Sequence, residues 1–352
     1  MKRIFVLCDG TWQSAMQPTA TNVLELDTLL ARRDSNGIVQ VILYNDGVGV
    51  SSVRMPHLTG GAFGTGLDDI IRRSYENLLS NYEKGDEVYL VGFSRGAYEV
   101  RRLAGMIRAS GLLPPKNITH SRRAWELFKD RSEPVDGQAA IEFRRNYEST
   151  IIPIKALFCF DTVGDYGIPA IISQFNQLHP ADAFHDTLLS RCIENAYHAM
   201  ALDEHRQAFM VTPMEPSPNS RTQVVKQVWF PGCHSDVGGG DGRTVKLANG
   251  PLLWMVSEFE RLGVAFDEAA VNKTKADPDI EFYDSASGFP FGFLPKEPRP
   301  VRRISTHFHH SVFERLMDLQ LDYEPSNIDP EMRLKIKRAG QNAPKNAQVL
   351  TI

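Results

Sequence analysis

Gly92-Phe93-Ser94-Arg95-Gly96 sets a serine between two glycines at the spacing G-x-S-x-G. The apolar run Glu87–Val91 leads into it, and a helical pattern (Val100, Leu103, Ala104, Ile107) leaves it. That strand–turn–helix setting is what makes such a pentapeptide a nucleophile elbow. The serine must sit on a strained turn, where helix and strand come too close for bulk two residues before or after it. Gly92 and Gly96 supply that room. Ser94 is then held up at the carboxyl end of a sheet, with the Arg95 backbone N–H directed toward a developing oxyanion. A serine hydroxyl is a weak nucleophile, so the elbow implies a base and an acid to orient it.

Ten histidines could supply the base. His57, His120, His179 and His185 lie in polar or turn-like surroundings, and His307, His309 and His310 in an irregular C-terminal stretch. His198 and His205 lie on or near an expected helix. His234 differs: it follows the β-run Val224–Phe230 and the breaker Pro231-Gly232-Cys233, and it begins a loop that ends in Gly238-Gly239-Gly240. A glycine-rich loop past a strand's carboxyl end is where an α/β fold places a base. For the acid, Ile154–Phe160 runs directly into Asp161, which gives the chain order Ser…Asp…His of α/β hydrolases. Asp165 and Asp203 compete for that role, while Asp236 stands too near His234 and is expected to order the loop. The second oxyanion donor is expected from the loop after the first strand, as the N–H of Gly10 or Thr11. Asp9 and Trp12 are the candidate substrate contacts there. Gly60–Gly66 lacks the GK[ST] ending of a phosphate loop, so nucleotide binding is discounted.

These residues need a scaffold, and the periodicity provides one. Ile4–Cys8, Ile38–Tyr44, Glu87–Val91, Ile154–Phe160 and Val224–Phe230 are mostly apolar on both faces, as strands of a covered parallel sheet must be. Between them, Leu67–Tyr82, Tyr98–Ile107 and Leu188–Leu202 read as helices, and Thr21-Asn22 offers caps for another. The alternation predicts a doubly wound α/β sheet with helices on both faces. Residues 1–262 are expected to form the catalytic core and 263–352 an extension that packs on it or forms a lid. The polar residues from Ala339 onward are candidates for disorder.

The chain has 352 residues, 42% hydrophobic and 23% charged, with a formal net charge of −4. That balance argues against a nucleic-acid-coating protein. Four scattered cysteines (Cys8, Cys159, Cys192, Cys233) make no disulfide framework. The opening apolar run is only five residues long and ends at Asp9-Gly10, too short for a signal peptide, so a cytoplasmic location is expected. No apolar run approaches the ~18 residues of a membrane span.

The motifs together resemble the DUF2235 family, the catalytic-domain family of Tle1-type phospholipase effectors. The residues that carry the resemblance include Phe5–Trp12, Gly47-Val48-Gly49, Gly92–Ala97, Phe160–Gly164, His198–Glu204, Trp229–Gly240 and His310–Leu316. The resemblance implies an α/β hydrolase with its triad on Ser94, Asp161 and His234, acting on acyl esters. As a stand-alone member the chain is expected to lack the membrane-targeting domains of the secreted effectors, and Cys233 stands where valine is common. The expected activity is hydrolysis of carboxylic esters, of lipids or other acyl compounds, through an acyl-enzyme, without cofactor or metal. Transient contact with a lipid surface is compatible with that activity; the oligomeric state is left open. A thioesterase or acyltransferase using the same triad, and a non-catalytic acyl-binding scaffold, are the alternatives. A structural cation near Asp236 and Asp241 is a further candidate.

Overall fold

In a computed structural model of the chain, the described residues are 1–11, 13–47, 61–130, 132, 134–164, 187–218, 220–281, 285, 295–344 and 346–352, with 61–65 described as backbone only. Eight strands form one sheet: β1 (Arg3–Cys8), β2 (Gln40–Asn45), β3 (Glu87–Phe93), β4 (Ile154–Phe160), β5 (Ile193–Ala201), β6 (Val224–Phe230), β7 (His307–His309) and β8 (Val349–Thr351). Their order is β2-β1-β3-β4-β5-β6-β7-β8. Every pairing is parallel except the last, β7 with β8.

Side chains alternate across a strand, and that alternation sorts the core into two layers. Ile4, Val6 and Cys8 of β1 point to one face, where α2 (Gly61–Asn81), α3 (Arg95–Ser110), α4 (Ser121–Lys129) and α5 (Gln138–Asn146) cover them. Phe5 and Leu7 point to the other face, under α1 (Asn22–Leu29), α7 (Val245–Arg261) and α8 (Glu268–Lys273), with the five-residue α6 (His234–Gly238) beside them. Burying both faces explains why the strands read as unbroken apolar runs. Each fully covered aliphatic side chain contributes about 1.5–3 kcal/mol. Among the described residues no helix is long and apolar enough to cross a membrane.

Two expectations need correction. Leu188–Leu202, expected as a helix, contains strand β5, whose last six residues are all buried. Alanine, methionine and glutamate favour a helix locally, but a slot between two parallel strands overrides that weak preference. The described residues from Ala339 onward, expected as candidates for disorder, include regular structure. They finish α11 (Pro330–Asn342) and form β8, where Leu350 is 3% exposed. A third apolar cluster explains this, in which Trp229, Phe308 and Leu350 pack with α9 (Val301–Ile304), α10 (His310–Met317) and α11. The C-terminal part of the chain therefore continues the sheet itself.

From β1 the chain steps outward to β2, then returns on the other side to β3. The loops leaving β1 and β3 diverge, and a crevice at the carboxyl ends of the strands follows from that reversal. The residues singled out for chemistry lie beyond those ends: Asp9–Thr11 after β1, Ser94 after β3, Asp161 after β4, and His234 after β6.

Candidate active site

Ser94 joins β3 to α3 with φ 58° and ψ −121°, a conformation that costs an L-residue roughly 1–3 kcal/mol. The surroundings enforce it. A Cβ on Gly96 would lie 2.1 Å from the Cys8 carbonyl oxygen, and one on Gly92 would lie 2.4 Å from the Gly96 carbonyl oxygen. Strand β1, strand β3 and helix α3 thus meet backbone to backbone, and the turn between them has no freedom to relax. The Ser94 N–H donates to the Phe160 carbonyl across the sheet (3.0 Å).

Asp161 is the second strained residue, with φ 41°. Its N–H donates to the Ala199 carbonyl (2.8 Å). The next residue is held by His198 on β5, whose Nε2 accepts the Thr162 N–H (3.0 Å). His198 is fully buried, and burial pushes its imidazole down to about 3, so it stays neutral and keeps that lone pair available.

His234 opens α6; the glycine-rich stretch expected as a loop is helical up to Gly238. Asp236 orders this turn, accepting the Cys233 N–H at 2.7 Å. The imidazole packs against two rings, Phe93 at 4.7 Å and Phe209 at 5.0 Å. Gly238 makes the first contact feasible, since a Cβ there would sit 1.9 Å from the Phe93 ring.

The three side chains meet. His234 Nε2 lies 2.9 Å from Ser94 Oγ, and His234 Nδ1 lies 2.6 Å from Asp161 Oδ2. Ser94, Asp161 and His234 are 3%, 0% and 6% exposed. Burial raises the carboxyl of Asp161, but the charge of Arg299 and the hydrogen bonds from His234 and Arg299 outweigh it and hold the carboxyl well below the usual range. An ionised carboxylate only accepts, so Nδ1 carries the imidazole proton and Nε2 presents its lone pair to the serine hydroxyl. Burial, against the opposing pull of Asp161, lowers the imidazole below its ordinary value and keeps it neutral.

Arg299 has no counterpart in the sequence reading. It is 1% exposed and grips Asp161 with both arms, Nη1 to Oδ1 at 2.6 Å and Nη2 to Oδ2 at 2.9 Å. Glu204 also escaped notice. It accepts the His234 backbone N–H (3.2 Å) and pairs with Arg206 (2.6 Å). Neither has a local signature. Arg299 is one basic residue among prolines, and Glu204 reads as surface charge in an Asp-Glu-His-Arg run. His198 carried a faint one, a lone histidine inside an apolar stretch.

The loop after β1 corrects two assignments. Asp9, expected to touch substrate, is 1% exposed and accepts from the Gly10 N–H (2.7 Å), the Thr21 hydroxyl (2.6 Å) and the Tyr44 hydroxyl (2.8 Å). It ties the loop to α1 and β2. The same bond occupies the Gly10 N–H, one of the two donors expected from this loop. Gly10 still lies beside the serine, since a Cβ on it would fall 3.4 Å from Ser94 Cβ. Arg95, the residue after the nucleophile, begins α3. Trp12 and Asp165 lie outside the described residues, as do Val48 and Gly49. Asp203 is elsewhere engaged, accepting from the Gly232 N–H (2.7 Å) and the Tyr323 hydroxyl (2.8 Å). Among the described residues no group of three His, Cys, Asp or Glu is placed to hold a metal ion, and Asp241 pairs with Arg243.

Residues 2–258 match the model of the catalytic domain of Tle1-like phospholipase effectors of type VI secretion. Uncharacterized protein YEL023C of Saccharomyces cerevisiae is 31% identical over 239 residues, 62% of this chain and 33% of that protein. The chain therefore spans about a third of that relative's length. Among solved structures, an uncharacterized protein from Pseudomonas aeruginosa aligns with 98% of this chain and 60% of its own, at 15% identity and a TM-score of 0.42. The Tle1 effector bound to the VgrG spike aligns with 68% of this chain and 51% of its own, at 17% identity and a TM-score of 0.35.

Proposed function

The chain belongs to the Tle1-like phospholipase-effector catalytic-domain family, and within that family we propose that it is a serine hydrolase that cleaves carboxylic esters of lipids or similar acyl compounds. The observation that carries this reading is the 2.9 Å contact from His234 Nε2 to the hydroxyl of a serine on a strained turn, with an ionised carboxylate 2.6 Å behind the ring. In the proposed reaction Ser94 Oγ adds to the ester carbonyl carbon as its proton passes to His234 Nε2. The imidazolium is stabilised by Asp161, which stays ionised. The negative oxygen of the tetrahedral intermediate accepts hydrogen bonds from the Arg95 and Thr11 backbone N–H groups. The intermediate collapses, His234 protonates the departing alkoxide, and an acyl-serine remains. Water then repeats the sequence, losing a proton to His234 and releasing the acid.

A fluorophosphonate probe is expected to label Ser94, and Ser94→Ala to remove both labelling and ester turnover. Labelling that persists in Ser94→Ala would place the nucleophile elsewhere and end this reading. A panel of p-nitrophenyl esters of increasing chain length, run beside phospholipid and lysophospholipid, identifies the acyl preference.

A further inference from the structure

Asp161 is saturated. A carboxylate offers about four lone-pair positions. Oδ1 takes the Ala201 N–H (2.9 Å) and Arg299 Nη1 (2.6 Å), and Oδ2 takes His234 Nδ1 (2.6 Å) and Arg299 Nη2 (2.9 Å). Arg299 lies beyond the 2–258 stretch that matches the family model. A buried ion pair is a poor device for stability alone, because desolvating both charges cancels most of their attraction. Its value is geometric: the guanidinium is a rigid planar fork that fits a carboxylate in one orientation.

The segment that carries Arg299 is itself pinned. The Gln207 N–H donates to the Pro295 carbonyl (3.1 Å) and the Glu297 N–H to the His205 carbonyl (2.8 Å). Residues 295–299 therefore lie along the loop after β5, the loop whose Glu204 accepts the His234 N–H. Arg299 also donates to the carbonyls of Ala201 (2.7 Å) and Phe209 (2.5 Å), and the Phe209 ring packs edge-on against the imidazole.

We propose that Arg299 is a positioning residue for the same reaction: its fork locks the Asp161 carboxylate against the imidazole and shares its charge, so that residues 295–299 complete the acid–base side of the site. This rests on the serine-hydrolase reading. The charged groups facing the imidazole are Asp161 and Glu204, which favour its protonation, and Arg206, which opposes it; Arg299 reaches the imidazole through Asp161, whose charge it pairs. With Arg299 removed, the Asp161 carboxylate is no longer paired by a guanidinium, its pull on the imidazolium strengthens, and protonation moves to higher pH.

The test uses the full chain. His234 is followed by NMR titration, assigned with His234→Gln, alongside the pH profile of kcat/KM. In Arg299→Met both the imidazole titration and the acid limb are expected to rise by about one pH unit. Turnover is expected to fall roughly 10²-fold as the carboxylate loses its orientation. Arg299→Lys keeps the charge without the fork, so its titration should stay near wild type while kcat falls. Because Arg299→Met leaves a buried carboxylate underpaired, Asp161→Asn/Arg299→Met is compared with Asp161→Asn, where no such charge remains. If Arg299 acts through Asp161, the double variant is no more than about 3-fold slower than Asp161→Asn. An unmoved titration in Arg299→Met, or full additivity in the double variant, overturns the proposal. Wild-type protein that neither labels nor turns over, yet shows the titration shift, would instead sink the hydrolase reading and leave the Arg299–His234 coupling standing.

Discussion

The two halves of the site are built by opposite means. On the nucleophile side, position comes from contact distance: β1, β3 and α3 approach so closely that Gly92 and Gly96 admit no Cβ, and Ser94 is forced into its turn. On the acid–base side, position comes from charge and hydrogen bonding. Asp161, His234, Glu204, Arg206 and Arg299 hold one another over sequence separations of up to 138 residues. The first kind of order is steric, indifferent to pH, and written in one pentapeptide. The second depends on protonation states and is scattered along the chain. One site can therefore be damaged in two distinguishable ways.

The largest break is expected at Gly96→Ala. A methyl 2.1 Å from one carbonyl oxygen and 2.5 Å from another must push β1 and α3 apart. Stability should fall by about 1–3 kcal/mol or more, and turnover by roughly 10²-fold as Ser94 shifts by an ångström. Denaturant melts and kcat measured at several pH values check this, and the loss should be the same at every pH. A pH-dependent loss would mean the elbow is not purely steric.

His198→Gln sharpens the other half. His198 is neutral when folded, titrating near 3, whereas an unfolded imidazole titrates near 6.5. The unfolded chain therefore binds the extra proton first. The stability this histidine contributes is intact above pH 6.5 and is lost as the pH falls from there toward 3. Thermal melts between pH 7 and 4 should decline less steeply in His198→Gln than in wild type; equal slopes would remove His198 from the acid sensitivity. Smallest of all is Lys116→Ala. The Lys116–Glu148 pair, at 2.7 Å, is nearly as short as Arg299–Asp161, but both partners are more than 60% exposed. Its loss should leave the melting temperature unchanged within about a degree.

What could be read from the sequence follows the same division. The elbow, the sheet and the chain order of Ser94, Asp161 and His234 were legible because each rests on a local pattern: two glycines, an apolar run, a residue just past a strand. Strand β5 was not, because its helix-favouring composition gives way to its place between β4 and β6. The C-terminal strands were not, because three-residue strands carry no period. Arg299 and Glu204 were invisible, because a buried arginine or glutamate has the same letter as a solvated one, and only the fold reveals what it faces. Gly10 and Asp9 were half legible. Their place beside the nucleophile was readable, but not the bond between them that occupies the N–H.

Strand β8 carries one more consequence. Val349–Thr351 runs against β7, and the Ile352 N–H closes the pairing on the Thr306 carbonyl (3.1 Å). Three residues thus cover backbone groups of β7 that would otherwise stand open at the rim of a long parallel sheet, available to any passing strand. A version of the chain trimmed before residue 349 should acquire a tendency to self-associate through the uncovered edge of β7.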